Sequence, residues 1–275
     1  MGGRSSCAAK ISELIDLKPP EGHRMSETLD GVKEFIERCS EKERRTLFEY
    51  LRRKLPRHPL EAQWDIDGET ILNAIYRSPD LTQRGMRGIL AEAVFERDVL
   101  PSVEKLGWHV LPVSISDPPY DFILESEGRR VTIQVKLQRT EKGQPKRYQP
   151  KRYPGELYVV EVQKTRSGKK RHSESTRARS SGDESTRPYR FGDFDILAVN
   201  MQPTTHTWAD FRYTVGRWLI PRGTNSRLIE IFQPVSLEPN EVWTNKLDVC
   251  LDWFRRSDRR RVGQLLRGPE SAGKH

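Results

Sequence analysis

A chain of 275 residues with a formal net charge of +9 is long enough to bury a substantial core, so a miniature scaffold held by staples is excluded. Cys7, Cys39 and Cys250 are far apart and in no CxxC spacing, which excludes a disulfide framework and a zinc site of the usual pattern. No apolar run reaches the length of a membrane span, and the positive excess makes nucleic acid the leading partner, with a merely solvated basic surface as its rival.

In chain order, residues 1 to 79 read as a helical N-terminal region. Met1 to Ser6 match the short N-myristoylation pattern with Gly2 as acceptor, but no apolar signal segment follows, and a soluble, reducing, cytoplasmic setting is expected. Leu29, Val32, Phe35 and Ile36 form one helical stripe. Leu47, Phe48, Leu51 and Leu55 form a second, opened by Ser40 and Glu43 in capping-box spacing and ended by Pro56 and Pro59. Arg44, Arg45, Arg52, Arg53 and Lys54 of this region are candidate phosphate contacts at most.

Residues 80 to 163 and 189 to 260 read as the main domain. Thr82 to Leu100 predicts a single helix with Met86, Leu90, Ala93 and Val94 on its apolar side and Glu92 at the edge of that side. A strand is expected at Trp108 to Ile115, then a turn at Asp117-Pro118-Pro119, then the segment YDFILESEGRRVTIQVK. A basic loop follows with Lys146, Arg147, Lys151 and Arg152, and then a strand at Leu157 to Gln163. Residues 164 to 188 are rich in Ser, Arg and Lys and poor in large apolar side chains, so a disordered insertion is expected. Tyr189 to Asn200 reads as a buried strand, Arg212 to Ile220 and Leu228 to Phe232 as further strands, and Leu247 to Phe254 as a closing helix before a flexible tail at 261 to 275.

The hairpin carries an oddity. Val131, Ile133, Val135 and Leu137 alternate with polar residues, the period of a strand, and Glu127-Gly128 fits a two-residue loop. That loop pairs Ser126 with Arg129, Glu125 with Arg130 and Phe122 with Ile133, and it sets Asp121 opposite Gln134. Lys136 lies two residues beyond on the same face. Three polar groups therefore converge at the end of an otherwise apolar hairpin, with Gln138 on the same face as a weaker candidate for phosphate contact.

A helix with an embedded acid, a strand, then a hairpin carrying Pro119-Tyr120-Asp121 and Gln134-Val135-Lys136 resembles the PD-(D/E)xK nuclease superfamily. With GDFDILAVN downstream, the chain is most similar there to type II restriction endonucleases of the QxK variant. The resemblance spans about Thr82 to Asn200. It implies an α/β (α+β) restriction-endonuclease-like core, a mixed β-sheet flanked by helices, and a sequence-specific cut in double-stranded DNA by a homodimer using magnesium, for which manganese substitutes.

Under that resemblance Asp121, Gln134 and Glu92 are the metal ligands, with Asp117 competing for the acidic role. Lys136 acts on the attacking water and the pentacovalent phosphorus, while Lys146, Arg147, Lys151 and Arg152 contact DNA. The family usually has an acid where Gln134 stands. Hydrolysis of a phosphodiester needs hard oxygen ligands for the cation and a compact movable positive charge, which these residue types supply. No Walker loop, GxSxG elbow or HExxH is present, so no nucleotide cofactor is expected. A structure-specific or repair nuclease, and a DNA-binding protein whose nuclease fold has lost activity, are the alternatives.

Overall fold

The computed structural model describes residues 25–114, 118–148, 155–164 and 187–266. The chain divides into two compact units, Met1–Ser78 and Pro79–His275. Among the described residues of the first, four helices follow one another: α1 (Met25–Arg38), α2 (Glu41–Lys54), α3 (Pro59–Trp64) and α4 (Gly68–Arg77). The capping box at the head of α2 is present, with the Ser40 side chain accepting from the Glu43 N–H and the Glu43 carboxylate accepting from the Ser40 N–H. Glu61 ties α3 to its neighbours, accepting from Arg52 and from the N–H of Gly68 at the start of α4.

The second unit opens with one long helical run: α5 (Asp80–Val94), a π-helical stretch (Phe95–Val99) and α6 (Leu100–Glu104). The expected helix is there, but the π-helical turn changes its facing. Ala91, Val94, Phe95, Leu100 and Val103 are buried, whereas Leu90 and Ala93, expected on the apolar side, are exposed. Phe95 follows Ala91 at ordinary helical spacing, and the wider turn after it carries the buried stripe on to Leu100 and Val103; Phe95 itself stacks on Phe122 and meets Phe211 and Tyr213 edge-on or tilted. Burial of a side chain of that size stabilises by roughly 1.5–3 kcal/mol.

Fourteen strands follow among the described residues. β1 (His109–Leu111), β2 (Phe122–Ser126) and β3 (Arg129–Leu137) come first; β4 (Thr140–Glu141), β5 (Gln144–Pro145) and β6 (Arg147–Tyr148) are short. Next are β7 (Leu157–Glu161), β8 (Gln163–Lys164), β9 (Arg187–Pro188) and β10 (Ile196–Asn200), then the short α7 (Gln202–Thr205) and β11 (Phe211–Val215). β12 (Pro221–Arg222), β13 (Asn225–Ile229) and β14 (Phe232–Ser236) precede α8 (Leu247–Arg256).

The main sheet has five strands in the order β1-β2-β3-β10-β11. It is mixed, since β3 and β10 run parallel and the other pairs antiparallel. Helices α5 and α8 pack against it. This is the expected α/β class, a mixed sheet flanked by helices. β3 is central and covered on both faces, which explains why Gln134 and Gln138 are buried although strict alternation would turn them to water.

The hairpin has the expected register: Ser126 faces Arg129, Glu125 faces Arg130 and Phe122 faces Ile133. Glu127 and Gly128 both take positive φ, 52° and 71°, the backbone of a type I′ turn, and Arg130 donates to Glu125 across the pair at 2.8 Å. A smaller sheet, β14-β7-β6, lies beside the main one, joined by the bridge between Gln138 and Val160.

Other expected elements are shorter. The first strand is His109–Leu111 rather than Trp108 to Ile115, because Pro112 has no N–H for the ladder; Ile115 lies outside the described residues. Tyr189 to Asn200 is a strand only from Ile196, since Gly192 at φ 94° turns the chain before it. β11 stops at Val215 and gives way to a 3-10 turn, Gly216–Trp218. Leu228 to Phe232 belongs to two strands, β13 and β14. Most of the expected insertion, 165 to 186, lies outside the described residues, and its two ends pair as β8 and β9. Part of the expected flexible tail is a packed 3-10 turn, Val262–Leu266, with Val262 and Leu265 buried.

Candidate active site

Asp121 stands one residue before β2, where Pro118-Pro119 delivers the chain to the sheet. Its N–H donates to the carbonyl of Ile133, the residue that Phe122 already faces, at 2.9 Å, so Asp121 leaves the hairpin register just before β2 in the manner of a bulge, and this backbone bond fixes where its carboxylate points. Two donors converge on its Oδ2: the Val135 N–H at 2.7 Å and the Gln134 side-chain NH₂ at 2.5 Å. Among the described residues no hydrogen bond falls on Oδ1. Asp117, the competing acid, lies outside the described residues.

Glu92 comes from α5, one turn before the π-helical stretch. The stacking of Phe95 on Phe122 holds this part of the helix against the start of β2, the neighbour of Asp121. Glu92 and Asp121 both border a cleft of about 420 Å³, lined also by Glu96, Val113, Pro118 and Tyr120. Lys136 lies two residues beyond Gln134 on β3.

These groups perturb one another. Burial pushes the Glu92 carboxyl up from its ordinary value of 4.5 to about 7; nearby Asp121 adds to the rise and Lys136 opposes it. Asp121 is also raised by burial, against the pull of the Val135 N–H, Lys136 and Gln134. Burial lowers Lys136, with Asp121 and then Glu92 holding it up. Two desolvated acids and one desolvated amine thus share a site, a pattern concentrated where chemistry is done.

Gln134, only 2% exposed, is placed differently from what a metal ligand requires. Its NH₂ meets Asp121 and the Val135 carbonyl, and its oxygen accepts from the hydroxyl of Tyr189 at 3.1 Å. In this arrangement the amide presents donors toward the carboxylate, not the oxygen expected beside a cation. Gln138, the weaker candidate for phosphate contact, is buried, and its side chain is engaged with Thr204 at 2.6 and 2.9 Å. Among the expected DNA contacts, Lys146 pairs with Glu141 at 3.3 Å and Arg147 with Glu156 at 3.0 Å; Lys151 and Arg152 lie outside the described residues.

Sequence reasoning missed Tyr189. It read as the first residue of a strand, and nothing in its neighbourhood along the chain ties it to a hairpin more than fifty residues earlier. In the fold it is buried, its hydroxyl reaches Gln134, and its ring centroid lies 5.6 Å from the Lys136 ammonium.

The donor set suits a hard cation of the magnesium kind. Such an ion takes one or two carboxylates and keeps several waters, and Glu92 and Asp121 offer two carboxylates around a cleft with room for a partly hydrated ion. Among the described residues no group of three or more His, Cys, Asp and Glu is placed to hold a metal.

The raised Glu92 links proton, cation and stability. Its folded pKa exceeds the unfolded one, so its contribution is fully present below about 4.5 and is lost as pH rises through about 7. Allowing for the partly wet position of the carboxyl, the expected loss across that window is about 1–2 kcal/mol. Chemical denaturation of metal-free protein should show it, Glu92→Gln should flatten it, and magnesium should stabilise the wild type more above pH 7 than below pH 5. A wild-type slope unchanged by Glu92→Gln would refute the link.

No protein-family model matches the chain, and no curated protein matches it. Among solved structures it is similar to a bacterial homing endonuclease, at 20% identity over 57% of this chain and 79% of that one, with a TM-score of 0.33. No helix among the described residues is long and apolar enough to cross a membrane.

Proposed function

We propose that this protein is a magnesium-dependent endonuclease that hydrolyses phosphodiester bonds in double-stranded DNA. The observation that carries the proposal is the meeting of Glu92 and Asp121 at one cleft, with Lys136 close enough that each of the three shifts the protonation of another. The motif order on these residues resembles PD-(D/E)xK nucleases. On that likeness we extend the proposal to a sequence-specific restriction enzyme that acts as a homodimer, the simplest way to read a two-fold site.

Asp121, oriented through its Oδ2, would hold the cation together with Glu92, and manganese would substitute for magnesium. A bound divalent cation supplies Lewis-acid charge beside the scissile phosphate. Lys136 is eased toward deprotonation by burial and kept charged by the two acids, so it can exchange a proton with the attacking water and offset charge at phosphorus. Lys146 and Arg147, with Lys151 and Arg152, would meet DNA phosphates. The ion pairs of Lys146 and Arg147 with glutamates, half-exposed and exposed, are weak and would yield to a polyanion.

A second reading, a DNA-binding protein that does not cut, is favoured by the Gln134 amide, which stands as a donor where the family usually has an acid. Supercoiled plasmid incubated with the protein in magnesium, manganese or chelator separates the two. Discrete linear products that vanish with chelator are expected. Binding that weakens steeply with salt, without cleavage in either metal, would support the second reading, and cuts confined to branched DNA would point to a structure-specific nuclease.

A further inference from the structure

We infer that Tyr189 is a positioning residue of this site, coupling the segment before β10 to both Gln134 and Lys136. The inference rests on the nuclease function proposed above and goes beyond it by assigning what sets the geometry of the acid and the amine. Tyr189 is 4% exposed and its ring is locked edge-on against Phe194 at 5.2 Å, so it enters the site as a rigid group.

Its hydroxyl donates to the Gln134 oxygen at 3.1 Å. A side-chain amide has one acceptor end and one donor end, and a buried amide turns to satisfy both. With the acceptor end claimed by Tyr189, the NH₂ is directed at Asp121 Oδ2 and the Val135 carbonyl. Tyr189 thereby decides which way Gln134 points, and Gln134, with the Val135 N–H, decides which oxygen of Asp121 is held and which is left for the cleft. The same ring lies 5.6 Å from the Lys136 ammonium, close enough for a cation–π contact that restrains the amine on the strand face it shares with Gln134.

The relay also gives a physical account of glutamine at position 134. An acid there would be drawn to a cation together with Asp121. The amide instead acts as a spacer: it accepts from Tyr189 on one side and donates to Asp121 on the other, so the carboxylate is oriented without a second buried negative charge. Partners of this outer kind typically change activity by about 10- to 100-fold when removed.

The test is a double-mutant cycle on plasmid cleavage in magnesium, with plasmid binding measured alongside in chelator. Tyr189→Phe removes the hydroxyl and keeps the ring, and it should lower turnover by about 10- to 100-fold with binding unchanged. In a Gln134→Ala background the same change should have little further effect, because the hydroxyl acts through the amide. Tyr189→Leu, which also removes the ring from Lys136, should cost more than Tyr189→Phe and should shift the pH profile of cleavage, which a purely structural loss would not do. Wild-type turnover in Tyr189→Phe, or a loss that adds in full to that of Gln134→Ala, overturns the inference. A second readout needs neither metal nor DNA: the Gln134 side-chain NH₂ resonances, assigned by their absence in Gln134→Ala, should be protected from exchange in the wild type and lose protection in Tyr189→Phe. If the wild type never cuts, the function proposed above fails, and this readout still judges Tyr189, with unchanged protection counting against it.

Discussion

Asp121→Ala and Lys136→Ala are each expected to lower plasmid cleavage by about 10²–10³-fold or more, the loss typical of removing one group that stabilises charge in the transition state, while DNA binding is largely retained. Asp121 is the better oriented of the two acids, with two donors on one oxygen and the other oxygen free of hydrogen bonds among the described residues. Without it, the cleft loses the carboxylate whose orientation is fixed, and Glu92 is left without the acid it is coupled to. Among the described residues Lys136 is coupled to both acids, so on the proposed function its removal takes away a cation beside the reacting phosphate. On the proposed function, phosphate and base contacts would fall on other residues and should survive both changes. Asp121→Asn controls for folding, since it keeps an acceptor for the Val135 N–H and removes only the charge. Rates of loss of supercoiled plasmid, with filter binding in chelator, separate catalysis from affinity. Full cleavage by both alanine variants would mean that these residues are only the wet end of a hairpin.

The parts of this site that were legible in the sequence are those set by local chemistry. The two-residue loop Glu127-Gly128 fixes the hairpin register out to Phe122 and Ile133; there the backbone of Asp121 departs from it, yet the Asp121 and Gln134 side chains still meet. The capping box of Ser40 and Glu43 was equally local. What sequence periodicity could not foresee depends on tertiary packing. The π-helical turn at Phe95–Val99 leaves no mark in a 3.6-residue pattern, yet it shifts the buried stripe so that Leu100 and Val103 follow Phe95 into the core. The Gln134 and Gln138 amides looked solvent-facing because alternation on a strand assumes one wet face, whereas β3 is covered on both. Tyr189 was invisible as a site residue because its partner lies in another strand and the pairing of β3 with β10 that brings them together is long-range.

Gln134→Glu is expected to be strongly destabilising in metal-free protein at neutral to alkaline pH and to be relieved by metal. The wild-type side chain is 2% exposed and donates to Asp121 Oδ2. The substitution keeps the shape and replaces a donor with an acceptor, so two carboxylate oxygens would face each other at hydrogen-bond distance with little water between them. Leaving a buried charge uncompensated typically costs about 3–5 kcal/mol. The pair escapes that cost by sharing a proton, which raises the pKa of one acid, or by holding a cation between them. Stability of the metal-free variant should therefore fall as pH rises through the neutral range, more steeply than the wild type does on account of Glu92. Magnesium or manganese should recover most of the loss and bind more tightly than in the wild type, because a third carboxylate joins Glu92 and Asp121. The Tyr189 hydroxyl can still donate to the new carboxylate, so the relay on that side survives. Denaturant midpoints at acid and alkaline pH, with and without metal, and a titration of the metal by calorimetry decide it. If the variant is as stable as the wild type at alkaline pH without metal, and binds metal no more tightly, the Gln134 amide is not what keeps Asp121 in place.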